Sequence, residues 1–304
     1  MRTLFFTALA GLLVSCGQNS DTSLVATNSV SLPTAFATNI IDVKRSGNVD
    51  GRTIVLIPGL ASNASVWNDT VINLVDDYDV RTVQVAGFAG TVPTELESGF
   101  TDAIATGLTD YLSAVPGRET VVVGHSMGGF VSLKAAIKNP NLIDEVVIVD
   151  SLPFLAGMFM PGITPEQSKV QGLAMAEQLK TMPREAFDRQ QASGLPRLTK
   201  TQGFLPELEA WGKTSNQEMV ADIMGELLTT DLRPALSKLT QPLTVLVPFD
   251  IETGLPRDTI VELYSTQYSL ASQTNIAVID GSFHFIMKDN PVAFYEELNA
   301  AIRD

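Results

Sequence analysis

From residue 40 onward, short apolar runs alternate with segments whose apolar residues recur every three or four positions. The runs RTIVLIPG (52–59), VRTVQVAG (80–87), TVVVGH (120–125), DEVVIVDS (144–151), PLTVLVP (242–248) and TNIAVIDG (274–281) are apolar on consecutive positions, and most stop at Gly, Pro or Asp. That pattern predicts strands buried on both faces. Between them, helical spacing is set by Val66, Trp67, Val71, Leu74 and Val75 in residues 65–78. Helices are also predicted over 101–115, closed by Pro116-Gly117, and over 127–138, stopped by Asn139-Pro140. A last helix, 291–303, begins on Pro291, which suits a first turn, and carries Phe294, Tyr295 and Leu298 on one stripe. Doubly apolar strands alternating with helices imply an α/β fold whose mostly parallel sheet is covered on both faces. Residues 39–55 leave room for antiparallel pairing at the start of that sheet.

One block breaks the rhythm. Residues 153–240 hold helical segments at 175–182, 183–191 and 216–232, cut by prolines and glycines, with no strand pattern. They read as a helical cap inserted above the sheet. At its entrance Phe154, Leu155, Met158, Phe159 and Met160 have two open roles. They line a site for an apolar acyl or alcohol group, or they pack helix onto sheet.

Composition narrows the chemistry. Of 304 residues, 45% are hydrophobic and 18% charged, so a large core rather than disorder is expected. The formal net charge of −14, without any Lys/Arg run, argues against nucleic acid as a partner. One cysteine, Cys16, excludes an intramolecular disulfide, and with only two histidines a His/Cys zinc site is not expected. Neither metal nor cofactor is called for. The reactive groups left are hydroxyls, carboxylates and backbone.

The first residues, MRTLFFTALAGLLVSC, combine one early positive charge with an apolar run from Leu4 to Val14. That run is shorter than the ~20 residues a membrane-spanning helix needs, and it reads as a signal peptide over 1–15. Leu13-Val14-Ser15-Cys16 resembles the lipobox of bacterial lipoproteins, which implies lipidation of Cys16 and a place in the bacterial cell envelope, anchored to a membrane. By the same resemblance, Gly17 favours the outer membrane. Residues 16–38, rich in Ser, Thr, Asn and Ala, are expected to form a flexible tether to a folded domain at 39–304.

The stretch TVVVGHSMGGF fits G-x-S-x-G as Gly124-His125-Ser126-Met127-Gly128, between a predicted strand and a predicted helix. Such a turn exposes Ser126 Oγ and aims the new helix's N-terminus at it. A serine needs a base to become a nucleophile. His125 shares the serine's turn, so its side chain should leave in another direction. His284 remains, in IDGSFHFIMKDNP, after the last predicted strand. Met127 N–H, with Leu60 N–H from the Pro58-Gly59 turn of IPGL, are candidate oxyanion donors.

Together LIPGL, GHSMGG and GSFHFIMKDNP, spread over residues 53–302, resemble the α/β-hydrolase superfamily with a helical cap. Pro58 departs from the many members that have His before the oxyanion-hole glycine. The resemblance implies a Ser-His-acid triad, with the acid usually after the strand before the last. Asp250 directly follows that strand and is the expected acid; Glu252 and Asp150 are the alternatives. A serine nucleophile disfavours the epoxide hydrolases and dehalogenases of the superfamily, which use aspartate there. The expected activity is hydrolysis of a small-to-medium, partly apolar ester through an acyl-enzyme. A lactonase, C–C hydrolase or acyltransferase of the same fold, or a non-catalytic lipid-anchored binding protein, are the alternatives.

Overall fold

In the computed structural model, residues 35–115 and 118–303 are described. The expected signal peptide, Cys16 and most of the tether lie outside them. Eight strands form one sheet: β1 (Ala35–Ala37), β2 (Ile41–Gly47), β3 (Thr53–Ile57), β4 (Asp79–Val85), β5 (Thr120–His125), β6 (Glu145–Val149), β7 (Leu243–Phe249) and β8 (Thr274–Asp280). Their order is β1-β2-β4-β3-β5-β6-β7-β8. The first two pairings, β1 with β2 and β2 with β4, are antiparallel, as the opening residues allow. All later pairings are parallel. β1 begins three residues before the end of the segment expected as tether.

The helices in chain order are α1 (Asn68–Leu74), α2 (Phe100–Ala114), α3 (Met127–Lys138), α4 (Ala156–Phe159), α5 (Pro165–Thr181), α6 (Arg184–Gly194), α7 (Leu205–Thr214), α8 (Gln217–Thr229), α9 (Arg257–Gln267), α10 (Ile286–Asp289) and α11 (Pro291–Ile302). Every residue of β3, β5 and β6 is buried, which is why these runs lack polar alternation. Two core layers result. One face of the sheet packs Val55, Val122 and Ile148 with Phe130, Val131 and Ile104. The other packs Leu56, Val123 and Val149 with Trp67, Phe294 and Leu298. At roughly 25 cal/mol per Å² of apolar area, each such side chain contributes about 1.5–3 kcal/mol by leaving water.

Between β6 and β7 the described residues hold α4 to α8 and short 3-10 turns, with no strand. α5 carries its own start signal, a capping box in which Thr164 and Gln167 satisfy each other's backbone N–H. It lies on α8 through small buried residues, Ser168, Gly172 and Ala176, and Ser168 Oγ donates to the Leu228 carbonyl at 2.6 Å. At the block's entrance the five apolar residues divide. Phe154 is buried beneath the Arg233 guanidinium, 4.5 Å from its ring, whereas Met158 and Phe159 are exposed. Parallel pairing brings the C-terminal ends of β5, β6, β7 and β8 to one edge, where a ligand site in an open α/β sheet is expected.

Candidate active site

Ser126 follows β5 and is the residue before α3, with φ 54° and ψ −121°. A positive φ costs a non-glycine residue of order 1–3 kcal/mol and persists only where the surroundings impose it. Here they do. The Ser126 N–H donates to the Val149 carbonyl of β6 at 3.0 Å, while Phe130 N–H returns to the Ser126 carbonyl at 3.1 Å. The turn closes because its glycines have no side chain. A Cβ on Gly124 would lie 2.3 Å from the Gly128 carbonyl oxygen, and one on Gly128 would lie 2.4 Å from the Ile57 oxygen. As first residue of α3, Met127 has an N–H that no carbonyl of its own helix can accept. Leu60 is half-buried in the turn after β3, and that turn is closed by Ser62 N–H to the Gly59 carbonyl.

His284 sits on the loop after β8, and three bonds clamp its backbone surroundings. Phe283 N–H donates to Asp289 Oδ2 at 2.9 Å, Phe285 N–H to the Leu198 carbonyl at 3.0 Å, and His125 Nε2 lies 3.0 Å from the His284 carbonyl. A carbonyl only accepts, so His125 carries its proton on Nε2. Burial first, then the neighbouring His284, holds the His125 imidazole well below the usual histidine range, so it stays neutral. Its ring is packed 4.8 Å from that of Phe285 and 4.4 Å from that of His284. His125 therefore braces the histidine loop from behind, its side chain turned away from the serine's role.

The partner of the His284 imidazole is Asp150. Nδ1 lies 2.5 Å from Asp150 Oδ2. Asp150 directly follows β6 with φ 44°, another strained non-glycine residue, and its N–H donates to the Leu246 carbonyl at 2.9 Å. Its second oxygen accepts from the Tyr264 hydroxyl of α9. Asp250, expected at the histidine, is engaged elsewhere. Its carboxylate takes the Lys200 ammonium on one oxygen and the Glu252 N–H, at 2.8 Å, on the other. Those two donors, in that order, hold its carboxyl below the usual carboxylate range. Glu252 is exposed, 3.7 Å from Lys200 Nζ. Thus the structure brings together His284 and the third of the three candidate acids, at the same sheet edge as Ser126.

Two residues at the site are not singled out by the sequence, although Asp289 falls within GSFHFIMKDNP. Tyr264 lies in a helix whose apolar spacing gives its hydroxyl no visible partner. Asp289 gathers four donors from residues 199–201 on Oδ1, at 2.6 to 3.1 Å, and the Phe283 N–H on Oδ2. Among the described residues, no group of three His, Cys, Asp or Glu side chains is arranged to hold a metal ion. A cavity of about 640 Å³ lies beside β2, lined by Thr38, Asp42, Gln84 and Thr91 among others, and includes none of these residues.

A parallel sheet with two antiparallel strands at one edge, helices on both faces, a helical insertion after β6 and a strained serine turn after β5 together define an α/β-hydrolase fold. The chain belongs to the alpha/beta hydrolase family, whose sequence profile matches residues 54–297. Among its relatives, the pimeloyl-[acyl-carrier protein] methyl ester esterase of Aliivibrio salmonicida is 30% identical over 227 residues, covering 70% of this chain and 83% of that protein. The structure is similar to that of MenH from S. aureus, with TM-score 0.70, 17% identity, and coverage of 88% of this chain and 98% of that one. A thermophilic esterase from Thermogutta terrifontis superposes with TM-score 0.67 and 20% identity, covering 89% of this chain and 96% of that one.

Proposed function

We propose that this hydrolase is a carboxylic ester hydrolase working through Ser126, His284 and Asp150. The observation that carries the reading is the His284 Nδ1 to Asp150 Oδ2 contact of 2.5 Å, at the sheet edge where Ser126 is held on a strained turn. With Nδ1 taken, Nε2 is the nitrogen left to accept the Ser126 proton. Ser126 Oγ then bonds to the ester carbonyl carbon, and the oxygen that becomes negative meets the Leu60 and Met127 N–H groups. Collapse expels the alcohol, which leaves with the proton from His284. Water, deprotonated by the same nitrogen, attacks the acyl-enzyme and releases the acid and Ser126.

The relative named as a methyl ester esterase supports an ester over a C–C bond or an acyl transfer. That relative is named for an ester borne on an acyl-carrier protein, whereas the substrate class proposed for this chain is a free small-molecule ester. In the same reading, Cys16 is acylated and the domain works tethered to a membrane of the cell envelope. The activity is tested with p-nitrophenyl esters of graded acyl length alongside lactones. Turnover of esters that is lost in Ser126→Ala supports it, and turnover of lactones alone overturns it.

A further inference from the structure

The acid of the site has two carboxylate oxygens, and only one of them meets the histidine. The other is met by the phenol of Tyr264, from α9. We propose that Tyr264 is a positioning residue: its hydroxyl, donated to Asp150 Oδ1, holds the carboxylate so that Oδ2 faces His284 Nδ1. The proposal rests on the reading of Ser126, His284 and Asp150 as a triad.

Three features of the surroundings support this role. Asp150 stands on a backbone at φ 44°, where an aspartate is held by its neighbours rather than by its own preference. A carboxylate on such a turn swings about its last torsion unless both oxygens are bonded, because that torsion is broad. Second, Tyr264 is 2% exposed and sits in the core cluster that includes Ile260, Tyr268 and Val247. Burial, reinforced by Asp150, pushes its phenol well above the usual range, so it remains a donor through any working pH. Third, α9 and the residue that caps it hold the same turn at two points. Tyr268, four residues on and hence on the same helix face, donates to the Ser151 carbonyl at 2.8 Å. One tyrosine fixes the acid's side chain and the other fixes the backbone just after it.

Other titratable groups around the pair are accounted for. His125 is neutral and bonded to the His284 carbonyl. Lys200 lies over the Phe283 ring and is paired with Asp250 and Glu252, while Asp289 holds the Phe283 N–H. Among the described residues, Tyr264 and His284 are the side chains bonded to the Asp150 carboxylate.

Tyr264→Phe keeps the buried ring and removes only the O–H. With p-nitrophenyl butyrate, kcat should fall about tenfold with KM little changed, because the imidazole is held in a less productive orientation. The acid limb of kcat/KM should also move to higher pH by about half a unit to one unit, because a carboxylate relieved of the phenol holds the imidazolium more tightly. Tyr268→Phe removes a phenol of the same helix face that touches no carboxylate, and its acid limb should stay where it is. Should Tyr264→Phe not fold, site-specific 3-fluorotyrosine at 264 strengthens the donor and should move the limb down instead. An unmoved limb in the Tyr264 variant, or an equal movement in Tyr268→Phe, overturns the proposal. Asp150→Asn separates this from the wider reading. If that variant stays active, the triad assignment itself fails; if it collapses while Tyr264→Phe leaves the limb unmoved, the role of Tyr264 alone fails.

Discussion

Two aspartates end neighbouring parallel strands, and exchanging each for its amide gives opposite outcomes. In Asp150→Asn the oxygen beside His284 Nδ1, now 2.5 Å away, is replaced in part by an NH₂ donor. An amide placed there either loses the contact or donates to Nδ1, which forces the proton onto Nε2, the nitrogen that must accept from Ser126. Loss of the correct tautomer costs on the order of 10³–10⁴ in kcat, or about 4–5.5 kcal/mol of transition-state stabilisation. Shape and volume are conserved, and the Tyr264 hydroxyl keeps an amide oxygen as acceptor, so melting temperature should fall little. Asp250→Asn loses a contact to Lys200 and retains an oxygen for the Glu252 N–H. It touches no part of the imidazole, and kcat should stay within about threefold of wild type, the scale of an effect well below 1 kcal/mol. Initial rates on p-nitrophenyl butyrate at several pH values, with melting curves on the same preparations, give the comparison. The reasoning is refuted if Asp250→Asn collapses while Asp150→Asn turns over nearly normally.

Further outcomes follow from the same geometry. Ser126→Ala should abolish covalent labelling by a fluorophosphonate, and His284→Ala should slow it by orders of magnitude. Gly128→Ala forces a methyl to within 2.4 Å of the Ile57 carbonyl and 2.6 Å of that of Pro58, both backbone. It should cost roughly 1–3 kcal/mol by overpacking, measured by denaturant unfolding, and depress kcat as the serine turn opens. His125 has a lowered folded-state value, so below its unfolded value of about 6.5 the unfolded chain holds a proton the folded one does not. Stability should therefore decline as pH falls below about 6.5, and His125→Gln should lack that part of the slope in pH-dependent melts. Cys16→Ser should shift the full-length protein out of the membrane fraction; unchanged fractionation and N-terminal processing would discard the lipid-anchor proposal.

The sequence carried the sheet well because buried parallel strands write themselves as apolar runs. TIVLI and EVVIV lie at or within a residue of where those runs predict β3 and β6. The serine turn was equally plain, since only glycine fits the close approach of Gly124 to Gly128. The carboxylate that meets His284 was not, and the reason is geometric. VVIVD and VLVPFD both end a parallel strand on aspartate, and local pattern cannot say which carboxylate the distant His284 loop will reach. What divides them is long-range: Lys200, fifty residues before Asp250, draws that carboxylate away, and Tyr264, more than a hundred residues after Asp150, holds the other in place. Asp250 also caps the short 3-10 turn at Ile251–Thr253, a local duty that suits any aspartate there. Similarly, five apolar residues at the start of the helical block looked alike in sequence, yet Phe154 is core and Phe159 faces solvent.

The convergence of residues 199–201 on Asp289 bears on how this enzyme can be re-engineered or can diversify. A helical insertion between two strands invites exchange, since the sheet below can be kept. Here the middle of the insertion, between α6 and α7, is stitched to the loop that carries the histidine, through Asp289 and through the Phe285 N–H to the Leu198 carbonyl. A chimaera cut cleanly at the end of β6 and the start of β7 would discard residues 198–201 and leave Asp289 with four of its five donors gone. Grafts that retain this short stretch as part of the sheet-side scaffold keep the histidine's footing while the helices around it change.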